Sequence, residues 1–184
     1  MLIEQTASVP LLVLDTNVVL DWVAFRDPRV QPIVDAIGRA TLRVATSCAC
    51  LQELRRALAY ARVKLDAAAQ ARAFECYAAH AIVFEIPERV EAVNLPRCED
   101  PDDQKFLDLA WHVRASHLLT RDKALLKLAR PLALSGRFAV LAPDAFPCSA
   151  WQLQSDWREA QARAPAGQLQ PVAEYAPDLR SRRD

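Results

Sequence analysis

Glycine is nearly missing from this chain: its 184 residues hold three, Gly38, Gly136 and Gly167. They are too far apart to build a glycine-rich phosphate loop, which excludes a recognisable nucleotide-binding fingerprint and argues against ATP or NAD dependence. Histidine is as sparse, and His80, His112 and His117 show no ligand-like spacing. None falls in the acidic segments described below, so base chemistry through histidine is not indicated. Net charge is absent as well, because 23 Lys and Arg balance 23 Asp and Glu. Without an overall basic field, any hold on nucleic acid must come from local basic patches.

The five cysteines, Cys48, Cys50, Cys76, Cys98 and Cys148, are odd in number and lack the paired two-residue spacing of zinc knuckles or ribbons. Reduced thiols in a cytosolic protein are the expectation. Long apolar runs are missing too. The run over residues 9–14 is far below the length that spans a bilayer, and the N-terminus lacks a basic region followed by an apolar core and a cleavage site. A cytoplasmic protein without membrane contact is expected.

Apolar residues make up 52% and charged residues 25%, an ordinary globular composition at a length that suits one well-cored domain. We place that domain at 1–150. The segment 151–184 is expected to carry a last helix, with Trp151, Leu153 and Trp157 on one side, and then a flexible, proline-punctuated tail. Its contribution to partner contacts is left open.

Short β-like apolar runs recur at 11–14, 42–45, 82–86, 117–120 and 138–141. Helical patterns occupy 18–25, 30–40, 47–62, 67–79, 101–115 and 123–129. Alternation of this kind predicts an α/β fold with a mainly parallel, five-stranded sheet. The helices split near Leu65 and Asp66 would form a helical arm.

In such a sheet the C-terminal ends of the strands and the N-termini of the following helices share one edge, where ligands bind. Asp15 and Asp122 each end a predicted strand, and Asp103 opens the helix that precedes the fourth strand. Glu53 sits about 9 Å into its helix at 1.5 Å per residue, but helical side chains lean back towards the N-terminus. The predicted buried stripe of that helix is Leu51, Leu54, Leu58 and Ala61, with Glu53 beside it among the small residues Cys50 and Ala57.

Two carboxylates about 4 Å apart repel by roughly 4 kcal/mol at an effective dielectric near 20. Acids gathered on one edge therefore need protons or cations, and a hard divalent ion, Mg²⁺ or Mn²⁺, is the natural occupant. Such an ion activates water and stabilises phosphodiester oxyanions, which makes phosphodiester hydrolysis the leading chemistry. The competing reading is local: Asp15 and Asp122 as helix caps, and Asp100, Asp102 and Asp103 as first-turn acids around Pro101.

Four segments in order, LLVLDTNVVLD at 11–21, QELRRAL at 52–58, DPDDQKFLDLA at 100–110 and LLTRDKALLKL at 118–128, resemble the PIN-domain family of metal-dependent ribonucleases. The resemblance implies a parallel sheet sandwiched by helices. It also implies Asp15, Glu53, Asp103 and Asp122 as the catalytic, metal-binding acids, with Asp102 an adjacent acid of open role. Asn17 and Thr120 resemble the polar residues flanking the family's first and last acids, and a local turn or cap explains each equally well. The Asp-Pro-Asp-Asp variant resembles the toxin branch of toxin–antitoxin pairs, which implies an RNA substrate, a small antitoxin partner and a possible homodimer. The resemblance fades after Pro143.

Basic residues accompany the acids. Arg55 and Arg56, followed by Arg62 and Lys64, lie on and after the Glu53 helix, and Arg121 and Lys123, with Lys127, surround Asp122. Arg55, Arg56, Arg121 and Lys123 are the candidate RNA contacts, against the alternative of solvated helix faces. The leading reading is a Mg²⁺- or Mn²⁺-dependent endoribonuclease. A PIN fold that no longer cuts, serving as an RNA-binding or protein-docking module, is the alternative from another class. A phosphatase with Asp15 as nucleophile is weaker, because the position two residues on is Asn17 rather than an acid.

Overall fold

The computed structural model describes residues 9–87 and 95–148. Strand β1, Leu11–Leu14, is apolar and buried at all four positions. A strand covered on both faces has no need of polar alternation, and successive side chains enter opposite cores. Leu12 and Leu14 pack with Val18, Leu54 and Leu58 on one side, while Leu11 and Val13 pack with Phe106, Leu107 and Leu118 on the other.

From β1 the chain runs through α1 (Thr16–Leu20), a π-helical turn (Asp21–Phe25), α2 (Gln31–Gly38), β2 (Arg43–Ser47) and α3 (Cys48–Leu58). A 3-10 turn (Ala61–Val63), α4 (Ala67–Ala78) and β3 (Ala81–Phe84) follow. The second half holds a 3-10 turn (Pro101–Asp103), α5 (Gln104–His112), β4 (His117–Leu119), α6 (Lys123–Lys127), α7 (Ala129–Ser135), β5 (Ala139–Leu141) and a closing 3-10 turn (Pro143–Ala145). The five strands form one sheet in the order β3-β2-β1-β4-β5, and every neighbouring pair is parallel. The sheet is wholly rather than mainly parallel, with helices on both faces. Strands added after β1 go to one side and β4 and β5 to the other, so the order reverses between β1 and β4. The crevice beyond the C-terminal ends of those two strands is where open parallel sheets bind ligands.

Several boundaries differ from those read in the sequence. The helix expected at 18–25 starts at Thr16, because Asp15 caps it, and passes into the π turn before Arg26 ends it in the left-handed region (φ 50°). The helix expected over 47–62 stops at Leu58, and Ala61 is exposed in the separate 3-10 turn. Its buried stripe is therefore Cys50, Leu54, Ala57 and Leu58, with Leu51 only half-buried. The helix expected over 101–115 is a 3-10 turn capped by Asp100 followed by α5. Helix α7 was not anticipated, because Pro131 reads as a break. Pro131 instead falls in the first turn, where a backbone N–H would have no intrahelical acceptor. The third strand is Ala81–Phe84 rather than 82–86, and the second runs on to Ser47. The helix expected around Trp151, Leu153 and Trp157 and the tail after it lie outside the described residues.

Candidate metal centre and cleft

Sheet pairing fixes the start of the site. Asp15 directly follows β1, and its backbone N–H donates to the Leu119 carbonyl at the end of β4, 2.9 Å away. Asp15 is 2% exposed. Thr120 donates its hydroxyl to Asp15 Oδ2 at 2.7 Å, and the Asn17 backbone N–H and side-chain amide donate to the two carboxylate oxygens at 3.4 Å each. The Thr120 hydroxyl, fully buried, also accepts the Asp122 backbone N–H at 2.9 Å. One hydroxyl thereby ties the first acid to the last.

Asp122 Oδ1 accepts from the N–H groups of Ala124 at 2.6 Å and Leu125 at 3.4 Å, capping α6. Asp15 caps α1 in the same way. Capping and ligation are thus compatible readings of these aspartates, since a carboxylate carries about four lone-pair sites and a cap uses only some of them.

Asp103 is half-buried in the 3-10 turn ahead of α5. Its carboxyl is pushed up to about 6, first by burial and then by the negative charges of Asp15, Asp122 and Asp100, with Lys105 opposing. The Asp15 carboxyl is also raised, by burial above all; hydrogen bonds from Thr120 and Asn17 work against that, and the Glu53 charge adds to it. Each of Asp15, Glu53, Asp103 and Asp122 is therefore electrostatically linked to at least one other. Asp100 is a fifth acid in this field, although its side chain also accepts the Asp102 N–H at 2.9 Å as a cap.

Glu53, on α3, lines a cleft of about 520 Å³ together with Asn17, Arg56, Asp102 and Asp103. Its carboxylate pairs with Lys105, whose ammonium also donates to the Asp102 carbonyl and lies 4.9 Å from the Phe106 ring centre. Lys105 was missed in the sequence, although its place two residues after Asp103 was a signal. Asp122 opens instead into an adjoining depression with Arg121 and Lys123, and this depression shares Asp100 and Pro101 with the cleft. Asp102 is exposed on the rim.

Among the described residues no group of three or more His, Cys, Asp or Glu side chains stands close enough to hold a metal ion as placed. The donor chemistry does fit a hard divalent cation. The acids offer only oxygen, and a cation would offset both the burial and the neighbouring negative charges that raise Asp103. Asp15, Asp103 and Asp122 are the residues that would hold it, while Glu53 is engaged by Lys105.

The basic residues divide in two. Arg56 is exposed in the cleft and Lys123 is exposed beside Asp122. Arg55 lies 4.3 Å over the Phe74 ring of α4, and Arg121 is ion-paired to Asp21 at 3.2 Å and Asp27 at 3.4 Å. Asp27 is bound in turn by Arg29 at 2.6 Å, so Arg121 belongs to a network that straps the π turn to the end of β4. Lys127 pairs with Glu99 at 2.8 Å.

The sequence model of one known family, described as the PIN domain, matches residues 11–124, more than half of the chain and every acid discussed above. No curated protein and no solved structure matches it. Among the described residues no helix is long and apolar enough to cross a membrane.

Proposed function

Since the chain belongs to the PIN-domain family, whose members are generally nucleases, we propose that it is a Mg²⁺- or Mn²⁺-dependent endoribonuclease and the toxin of a toxin–antitoxin pair. The observation that carries the catalytic reading is the field on Asp103. Burial first, and then the charges of three other acids, raise its carboxyl beside the point where the order of a parallel sheet reverses. A divalent cation held there would supply Lewis-acid stabilisation of the phosphodiester oxygens and lower the pKa of water.

The protein's own groups set the geometry. Thr120 and Asn17 fix the Asp15 carboxylate, and the α6 backbone fixes one oxygen of Asp122 while leaving the other outside the cap. Asp103, half-buried in the turn ahead of α5, completes the proposed set. Glu53 and Lys105 form a neutral pair in the cleft, and Arg56 offers a cation to an incoming phosphate.

Incubation of the purified protein with structured RNA and Mg²⁺ or Mn²⁺ tests the reaction. Cleavage is expected, and both EDTA and Asp15→Asn should abolish it. Cleavage indifferent to both controls would overturn the assignment. The toxin role rests on the Asp-Pro-Asp-Asp resemblance. It predicts that expression in a bacterial host arrests growth, that Asp15→Asn does not, and that a small protein from a neighbouring reading frame restores growth.

The Lys105–Glu53 pair favours a second reading, a PIN fold that binds RNA or protein without cutting. Absence of Mn²⁺ binding by the intact chain selects that reading.

A further inference from the structure

We propose that Tyr60 and Arg62 form a base-stacking platform at the far end of the acidic cleft, so that the cleft takes single-stranded RNA with one unstacked base held against the Tyr60 ring. The proposal rests on the nuclease reading for its substrate class and adds to it the place where a nucleotide beside the scissile phosphate would bind.

Tyr60 is one of two large hydrophobic residues that stand open among the described residues, at 50% exposure; the other, Phe25 at 53%, does not line the cleft. Tyr60 does line it, as do Arg56, Arg62, Glu53 and Asp103. The Arg62 guanidinium sits 5.1 Å from the Tyr60 ring centre, covering part of the ring while half of the residue's surface remains open. An exposed aromatic flanked by cations is the arrangement that non-duplex nucleic acid uses: rings stack on bases of any identity, and arginines track the phosphates.

The spacing follows from α3. Glu53 and Arg56 are three residues apart and Tyr60 follows four later, just past the last helical residue Leu58. Glu53 and Arg56 therefore lie near one face of α3, and Tyr60, extended just beyond the helix, lines the same cleft about 10 Å further along at 1.5 Å per residue. Arg55 faces elsewhere, against Phe74 of α4. Tyr60 is not part of an apolar patch of the kind a protein partner covers, because its neighbours in the cleft are mainly polar or charged. A duplex hides its bases from a ring of this kind, whereas a single strand can splay one out.

Binding is measured in EDTA, so that it is read without cleavage. A short single-stranded RNA carrying a fluorophore is titrated with wild type, Tyr60→Ala, Tyr60→Trp, Arg56→Gln and Arg62→Gln. Tyr60→Ala should weaken binding roughly 5- to 100-fold, the usual effect of removing one stacked base contact, and Tyr60→Trp should retain it. The same Tyr60→Ala substitution should leave binding of an RNA with an abasic site at the stacked position unchanged. Arg56→Gln and Arg62→Gln should each reduce the slope of log affinity against log salt by about 0.7. Equal affinity of Tyr60→Ala and wild type for the intact oligonucleotide overturns the platform. So does an unchanged RNA affinity accompanied by lost binding of a protein partner, which would reassign Tyr60 to protein docking. Because no metal is present, the outcome stands apart from the nuclease reading: cleavage can fail with the platform intact, or persist in Tyr60→Ala with the platform disproved.

Discussion

Thr120 serves two acids with one hydroxyl, donating to Asp15 and accepting from the backbone of Asp122. Outer groups that orient ligating carboxylates commonly matter 10- to 100-fold, so Thr120→Val should lower Mn²⁺ affinity and RNA cleavage by about that factor. Thr120→Ser, which keeps the hydroxyl, should retain most of both. Equal cleavage by the valine and serine variants would show that the hydrogen bond does not position Asp15. Asp103 makes a prediction of its own. A carboxyl raised in the folded state stabilises the fold while it is protonated. That contribution is complete below the ordinary value of 3.8 and is lost as pH rises through about 6. The melting temperature of metal-free protein should therefore fall over this window relative to Asp103→Asn, whose side chain cannot ionise. Parallel melting curves for the two proteins across the window would remove Asp103 from the acidic field.

Helix α5 carries the second core, with Phe106, Leu107, Leu109 and Ala110 all fully buried against the sheet. Leu107→Ala should cost about 2–5 kcal/mol of unfolding free energy, read by denaturant titration, because the fully buried side chain leaves a cavity beneath α5 that cannot fully collapse. A loss below roughly 1 kcal/mol would mean that the α5 core relaxes around the missing side chain. The strap from the π turn to β4 separates two kinds of basic residue. Arg121→Met should destabilise the fold by leaving Asp21 and Asp27 short of a partner, with little change in the salt dependence of RNA binding. Lys123→Gln should do the reverse. At this scale the sequence was readable where periodicity was strong. The wholly apolar β1 and the capped helices beginning near Ser47 and Asp66 were legible from residue type alone. Helix α7 was not, because a proline in a first turn looks like a terminator, and the Ala61 end of the α3 stripe failed because helical periodicity cannot reveal where a helix tightens into a 3-10 turn.

Across the molecule, a chain of zero net charge concentrates acids at the reversal point of its sheet and leaves basic groups along the rim. The electrostatic proximity of Asp103 to Asp15 and Asp122 could be anticipated from strand ends and helix starts, because topology carries those positions towards one edge of the sheet. The partners that tune them could not. The Lys105–Glu53 pair and the stacking of Arg62 on Tyr60 depend on side-chain directions that no spacing rule supplies. A calorimetric Mn²⁺ titration at neutral pH on wild type and Asp103→Asn decides whether these acids form one divalent-metal site. Wild type should bind one or two ions saturably, and Asp103→Asn should lose that binding or weaken it at least tenfold, since each missing carboxylate removes a ligand and part of the attractive field. Identical titrations for the two proteins, or no binding by either, would rule out a metal site built on Asp103.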